Sequence, residues 1–200
     1  MAKITNCLLA GVGGQGILLA SSLVSEAARA SGMDIKNNEV HGMAQRGGSV
    51  VAQIRFGEEV YSPLIKKGSA HFLVALEVIE SLRNVDFIAP DGLALVSTQR
   101  IVPITVSAGP FDYPEDPEGW VKKRFRHYIL CPCLDIARDL GEPRAANVVM
   151  VGLLSRFLPF EEHIWSEVLA RQIKPRYLEV NQKAFQAGLE FQNPDASFKA

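Results

Sequence analysis

Apolar and polar positions along this chain switch repeatedly between the period of a strand and that of a helix. Lys3 to Ala10 is a short, nearly continuous apolar run that ends at glycine, which marks a buried strand. Ile17 to Ala30 instead carries Leu, Val and Ala at helical spacing and stops at Gly32, which predicts a helix. Asp34 to Val40 reads as a second strand. Ser49 to Phe56 reads as a third, with Val51, Gln53 and Arg55 alternating along it, and Gly57 to Glu59 turns the chain after it. His71 to Leu76, nearly all apolar, is a fourth. Shorter strands are expected at Leu93 to Ser97 and Tyr128 to Leu130, and helices at Leu134 to Leu140, Ala145 to Phe157, Glu161 to Ile173 and Arg176 to Phe191. Ser107 to Gly119, rich in Pro, Gly and acids, is the longest stretch with no expected element. Strands interleaved with helices predict an α/β fold. We expect one domain over residues 1–192, a three-layer α/β/α sandwich on a largely parallel or mixed sheet, with residues 193–200 fraying as a tail.

The first strand and first helix are joined by "AGVGGQGILLAS", residues 10–21, a Rossmann-like turn with Gly11, Gly13 and Gly16 in G-x-G-x-x-G positions and Gly14 and Gln15 between them. Glycine is needed where φ is positive or backbones pass closely, and the helix N-terminus beyond it offers free N–H groups to an anion. A nicotinamide site also needs an acid at the end of the second strand, about 20 residues on, to hold the ribose. Asp34 and Glu39 both roughly qualify. Close helix–strand packing explains the same glycines, so at this level the turn leaves both readings open.

Composition narrows the partners. The chain of 200 residues is 48% hydrophobic and 22% charged, enough for one globular core. A formal net charge of -1 gives no electrostatic reason to expect nucleic acid or an anionic membrane as partner. The apolar N-terminal run is broken by glycines and Gln15, too short and interrupted for a membrane span. Three cysteines, Cys7, Cys131 and Cys133, make neither a disulfide framework nor the four thiolates that an iron–sulfur cluster usually takes, and a reducing cytoplasm suits them.

A second glycine-bearing loop decides between the readings. "EVHGMAQRGGSV", residues 39–50, leads from the second strand into another strand, where a nicotinamide fold places a helix. Together with "GVGGQGILLAS", with "SPLIKKGSA" followed by "LVALEVIE", and with "RAANVVMVGLL", it resembles the beta subunits of indolepyruvate:ferredoxin oxidoreductases, equivalent to the gamma domains of the 2-oxoacid:ferredoxin oxidoreductases. These motifs occur in order over most of the chain. The His-Gly-Met-Ala-Gln version of the second loop is similar to the aryl type. The sequence departs from the family's pattern at His71, where an aspartate is common, and at the Cys-Pro-Cys of residues 131–133.

The resemblance implies a non-thiamine-binding chain, inactive alone, in a hetero-oligomer with a large alpha subunit. That partner would hold thiamine diphosphate, Mg and 4Fe–4S clusters, ferredoxin would accept electrons, and coenzyme A would take the acyl group as arylpyruvates become arylacetyl-CoA. No cofactor is expected to be held tightly by this chain, which lacks a Gly-Asp-Gly followed by paired asparagines. The residues placed at the interface or coenzyme pocket are Gly11, Gly13, Gly14, Gln15, Gly16, Arg46, Gly47, Gly48 and Ser49, with His41 a weak catalytic candidate and no metal ligand. Other members of the family, acting on other 2-oxoacids, and a nicotinamide-dependent dehydrogenase domain are the alternatives.

Each of these side chains has two readings. Arg46 faces an anion or pairs with a carboxylate at a subunit contact. Gln15 bonds a ligand or caps its turn. Glu77 is a functional carboxylate at a strand end or the start of a helix. Asn147 is expected to bond a backbone group. Cys133 opens a helix as a small apolar residue, and the basic run Val121 to His127 is a docking patch or a solvated face.

Overall fold

The computed structural model describes residues 4–42, 47–102 and 113–192. Within them a six-stranded sheet runs in the order β2-β3-β1-β4-β5-β6, from β1 (Thr5–Val12), β2 (Asp34–His41), β3 (Ser49–Gly57), β4 (Ala70–Ala75), β5 (Ile88–Ser97) and β6 (His127–Cys131). β1, β4, β5 and β6 are parallel, and β3 is antiparallel to both β1 and β2. The sheet is therefore mixed.

Around it lie α1 (Ile17–Ala30), α2 (Val78–Arg83), α3 (Pro117–Arg124), α4 (Cys133–Asp139), α5 (Ala146–Ser155), α6 (Glu162–Gln172) and α7 (Pro175–Glu190). One face is thickly covered: Cys7 and Leu9 of β1, Ala52, Ile54 and Phe56 of β3 and Leu93 and Leu95 of β5 pack against α1 and α4 to α7. Phe56, Phe160, Trp165 and Phe185 continue this core as a chain of tilted rings 5.2, 5.7 and 5.4 Å apart. The other face is thin, with Leu8, Leu73, Ala94 and Val96 under Val78 of α2, Val121 of α3 and Ile65 of the β3–β4 connection. This is the expected three-layer arrangement. β1, with neighbours on both edges and layers on both faces, is buried from Asn6 to Val12, which explains its unalternating sequence.

One helix lies where the sequence pattern showed none, and another where the sequence left Glu77 open between strand-end carboxylate and helix start. α2 has six residues and follows β4 after Leu76 and Glu77, the second of which is its N-cap. α3 begins inside the Pro-rich stretch, with Asp116 as N-cap accepting from Gly119 N–H at 2.8 Å and Pro117 in the first turn. Lys122, Lys123 and Arg124 form the last turn of α3, where cations oppose the helix's negative end. β5 also starts earlier than expected, at Ile88, through Pro90 and Gly92. A Cβ at Gly92 would stand 2.7 Å from the Ala70 carbonyl of β4, so the glycine belongs to the strand contact.

α5 and α7 approach so closely that backbone meets backbone. A Cβ on Gly152 would strike the Phe185 carbonyl, and one on Gly188 the Val149 carbonyl. Either Gly152→Ala or Gly188→Ala is expected to cost about 2 kcal/mol or more, because the helices must separate to admit the methyl group. Urea denaturation of the purified chain checks it; an unchanged midpoint would mean that the contact yields freely.

Candidate functional site

The strand order reverses direction between β1 and β4. From β1 the chain crosses to β2 on one side, while β4, β5 and β6 build outward on the other. Open α/β sheets place ligand crevices outside the carboxyl ends of strands at such a point. Here a cleft of about 250 Å³ lies there, lined by Gly13, Gly14, Gln15, Leu76, Gln99 and Asn147 among others.

Gln15 holds this edge together. Its Oε1 accepts from Val12 N–H at 2.7 Å, and its Nε2 donates to the Leu76 carbonyl at 2.6 Å and to Gln99 Oε1 at 2.9 Å. One side chain thus joins the ends of β1, β4 and β5. Gly16, the N-cap of α1, has φ of 80°, and a Cβ there would collide with the Asn147 amide, so glycine is required on both counts. Asn147 Nδ2 donates to the Gly16 carbonyl at 3.0 Å, which is the backbone bond expected of it.

The second glycine loop is fastened onto the first. Gly42 N–H donates to the Ser49 carbonyl at 3.0 Å, closing the loop, and Gly13 N–H donates to the Gly48 carbonyl at 2.8 Å, joining the two loops. A glycine N–H that a dinucleotide fold could turn toward a phosphate is here spent on the neighbouring loop. β3 also stands between β1 and β2, and Asp34 lies at the start of β2, where it takes Lys36 Nζ and Val60 N–H. The geometry of a nicotinamide ribose site is therefore displaced. Gly11, Gly13, Gly14, Gln15 and Gly16 come together with Gly47, Gly48 and Ser49 at this edge; Arg46 and the His41 side chain lie outside the described residues.

Two buried carboxyl groups, of which sequence reasoning singled out one, stand at the start of α2, at its N-cap and in its first turn. Glu77, 1% exposed, caps α2 by accepting Glu80 N–H at 2.9 Å, and its other oxygen accepts from Tyr113 Oη at 2.6 Å and Ile101 N–H at 3.3 Å. It is both helix start and strand-end carboxylate. Glu80, 4% exposed, accepts from Ser49 Oγ at 2.5 Å. Burial raises the Glu80 carboxyl above its ordinary value, against the opposing pull of Ser49 and Arg83. Burial and the Glu77 carboxylate likewise raise the Tyr113 phenol, so it remains a hydrogen-bond donor. The one sequence signal for Glu80 is a second acid, three residues after Glu77, inside the apolar run "LVALEVIE".

A larger hollow of about 690 Å³ opens at the opposite edge of the sheet, between Met33, Phe56, Phe72 and Phe157. Its polar groups are already engaged: Arg156 donates to the Phe191 carbonyl and His71 Nδ1 accepts from Asn6 N–H. The polar groups that converge are at the crevice. Cys133 does open α4 and is fully buried, its thiol pushed up to about 11 by burial and donating to Ser97 Oγ at 3.1 Å.

Fold and site together define a Rossmann-like mixed sandwich whose carboxyl edge is closed by two interlocked glycine loops. The chain belongs to the pyruvate ferredoxin/flavodoxin oxidoreductase family, whose pattern it matches over residues 6–191. It is similar to the indolepyruvate oxidoreductase subunit IorB of Archaeoglobus fulgidus, 38% identical over 188 residues and 92% of each chain. The IorB subunit of Thermococcus kodakarensis is 35% identical over 193 residues, 94% of this chain and 96% of that one. Its fold is shared by the pyruvate oxidoreductase subunit PORC of Thermotoga maritima, with a TM-score of 0.72 at 21% identity over 94% of this chain and 96% of that one. The chain is an oxidoreductase subunit of this family.

Two outcomes follow from the crevice geometry. Gln15→Ala removes bonds to three strand ends and is expected to cost about 2–3 kcal/mol in denaturant unfolding, whereas a loss under about 0.5 kcal/mol would mean that water replaces the brace. Glu80 sets a pH dependence. A carboxyl raised in the folded state contributes stability that is complete below its ordinary value of 4.5 and lost as pH rises through the raised value. The unfolding free energy of Glu80→Gln minus that of wild type should therefore climb as pH increases from 4.5. A difference flat with pH would contradict the shift.

Proposed function

We propose that this chain is the beta, non-thiamine-binding subunit of an indolepyruvate:ferredoxin oxidoreductase. It would support oxidative decarboxylation of arylpyruvates to arylacetyl-CoA with reduction of ferredoxin, in the cytoplasm, within a hetero-oligomer built on a large alpha subunit. The observation that carries this reading is the fastening of the second glycine loop onto the first at the carboxyl edge of the sheet. That loop bears the His-Gly-Met-Ala-Gln-Arg-Gly-Gly pattern of the aryl type, and similarity to IorB chains over nearly the whole length supports the same substrate class. The residues offered to the interface or coenzyme pocket are Gly11, Gly13, Gly14, Gln15, Gly16, Arg46, Gly47, Gly48 and Ser49.

Thiamine diphosphate with Mg and the 4Fe–4S clusters belong, in this reading, to the partner, where thiamine supplies the decarboxylation chemistry and the clusters carry electrons. This chain's cysteines do not fit an iron–sulfur cluster. Its three cysteines are buried, and burial raises the Cys7, Cys131 and Cys133 thiols, which disfavours the thiolate that iron requires. Among the described residues no three His, Cys, Asp or Glu side chains are grouped to hold a metal ion, and no helix is long and apolar enough to cross a membrane.

The test is purification of the chain at native abundance, with what accompanies it. A large brown partner containing iron, acid-labile sulfide and thiamine diphosphate, with indolepyruvate-dependent dye reduction that needs coenzyme A, is the expected outcome. A colourless homo-oligomer that binds NADH with micromolar affinity would overturn it. In the assembled enzyme, Arg46→Ala is expected to lower turnover or partner affinity about tenfold, as loss of a charge-assisted contact would; wild-type values for both would remove the second loop from the working surface.

A further inference from the structure

The two carboxyl groups of α2 are costly, and capping does not account for them. Capping a helix of six residues needs one acceptor, which Glu77 supplies through a single oxygen to Glu80 N–H. The other Glu77 oxygen and the Glu80 carboxyl are also taken out of water, and among the described residues no buried cation is bonded to them. The Arg83 guanidinium stands 3.6 Å from Glu80, with its side chain 61% exposed. Apolar side chains would fill the space under α2 at less cost, since buried acids are expensive unless fully bonded.

Each spare oxygen reaches a different loop. Glu80 bonds Ser49, the residue at which the second glycine loop enters β3, and Glu77 bonds Ile101 and Tyr113, on either side of the segment between β5 and α3. Of these residues Ile101 lines the crevice, as does Leu76, the residue before Glu77, whose carbonyl accepts from Gln15. The short helix therefore holds two separate stretches of chain at the carboxyl edge, while the residue before its cap is bonded to the first glycine loop.

We propose that α2 and its N-cap form a positioning element of the assembled enzyme, Glu80 holding the second glycine loop through Ser49 and Glu77 holding the chain after β5 and before α3 through Ile101 and Tyr113. Neither acid touches reacting atoms. Their work is to fix Ser49 on one side and Ile101 and Tyr113 on the other at the carboxyl edge of the sheet. This rests on the reading above, that this edge is the surface the chain offers to the assembled active site.

Hydrogen exchange on the full chain, and steady-state kinetics of the chain assembled with its large partner, test it together. Ser49→Ala and Glu80→Ala should each speed exchange of the Gly47 to Val50 amides about tenfold while the β1 and β4 amides hold, since a local bond of this kind is worth roughly a factor of ten. Both should lower kcat/KM for arylpyruvate about tenfold, and Glu80→Gln, which keeps an oxygen for the serine hydroxyl, should restore most of each effect. Tyr113→Phe should act on the Glu77 attachment without moving the Gly47 to Val50 amides. Unaltered exchange at those amides in both Ser49→Ala and Glu80→Ala would overturn the proposal. So would faster exchange with unaltered kinetics, or an effect that Glu80→Gln fails to rescue. A wild-type assembly with no arylpyruvate turnover would count against the proposed function instead, because exchange reads the attachment on this chain alone.

Discussion

The structure depends on one side chain at the point where the strand order changes direction. From β1 and from β4 the chain departs to opposite sides of the sheet. Gln15 spans that point with a single amide, joining Val12 of β1, Leu76 just after β4 and Gln99 beyond β5. From the helical layer Asn147 reaches the Gly16 carbonyl in the same turn. The glycines around Gln15 let the turn pass close enough for these bonds; the bonds fix where the turn lies.

The antiparallel β3 explains why a nucleotide-type turn serves a different purpose here. Because β3 runs against β1 and β2, its first residue, Ser49, stands opposite Val12, at the carboxyl edge, and the loop before it is delivered to that edge. A parallel strand entering in that place would have delivered its other end. The hairpin thus sets a second glycine loop against the first, and the Gly48 carbonyl takes the Gly13 N–H. Donor capacity at the turn goes into joining loops, and the edge becomes a surface that presents backbone and side chains outward.

Most of the fold was legible because its signals are local. The apolar runs of β1 and β4, the alternation of β3, whose Val50, Ala52, Ile54 and Phe56 are buried while Val51, Gln53 and Arg55 are half-buried, and the helical spacing of α1 and α5 each lie within one window. α2 was half-legible: Glu77 offered a helix start, but six residues directly after a strand's apolar run are too few to show a helical period. α3 did announce itself, through Asp116 and Pro117, but those residues read as loop in an acidic, Pro-rich neighbourhood. At the site, the glycines and Gln15 stand out in the sequence, yet the partners of Gln15 are 61 and 84 residues away, beyond any local pattern. Gln99, Glu80 and Tyr113 carry no motif of their own. Their importance comes only from being brought to one edge.

Among the described residues of that edge, Glu77 and Glu80 are buried and bonded to hydroxyl and amide donors, while Arg100 lies outside, bonded to Glu118 at 3.1 Å. Buried acids held by neutral donors are directional: a serine hydroxyl or a backbone N–H satisfies them in a narrow range of positions, whereas a long cationic side chain would follow a loop as it shifts. The first arrangement places Ser49, Ile101 and Tyr113 in defined positions relative to α2. Burying the two acids costs stability at α2 and gives in return a fixed placement of the chain segments bonded to them.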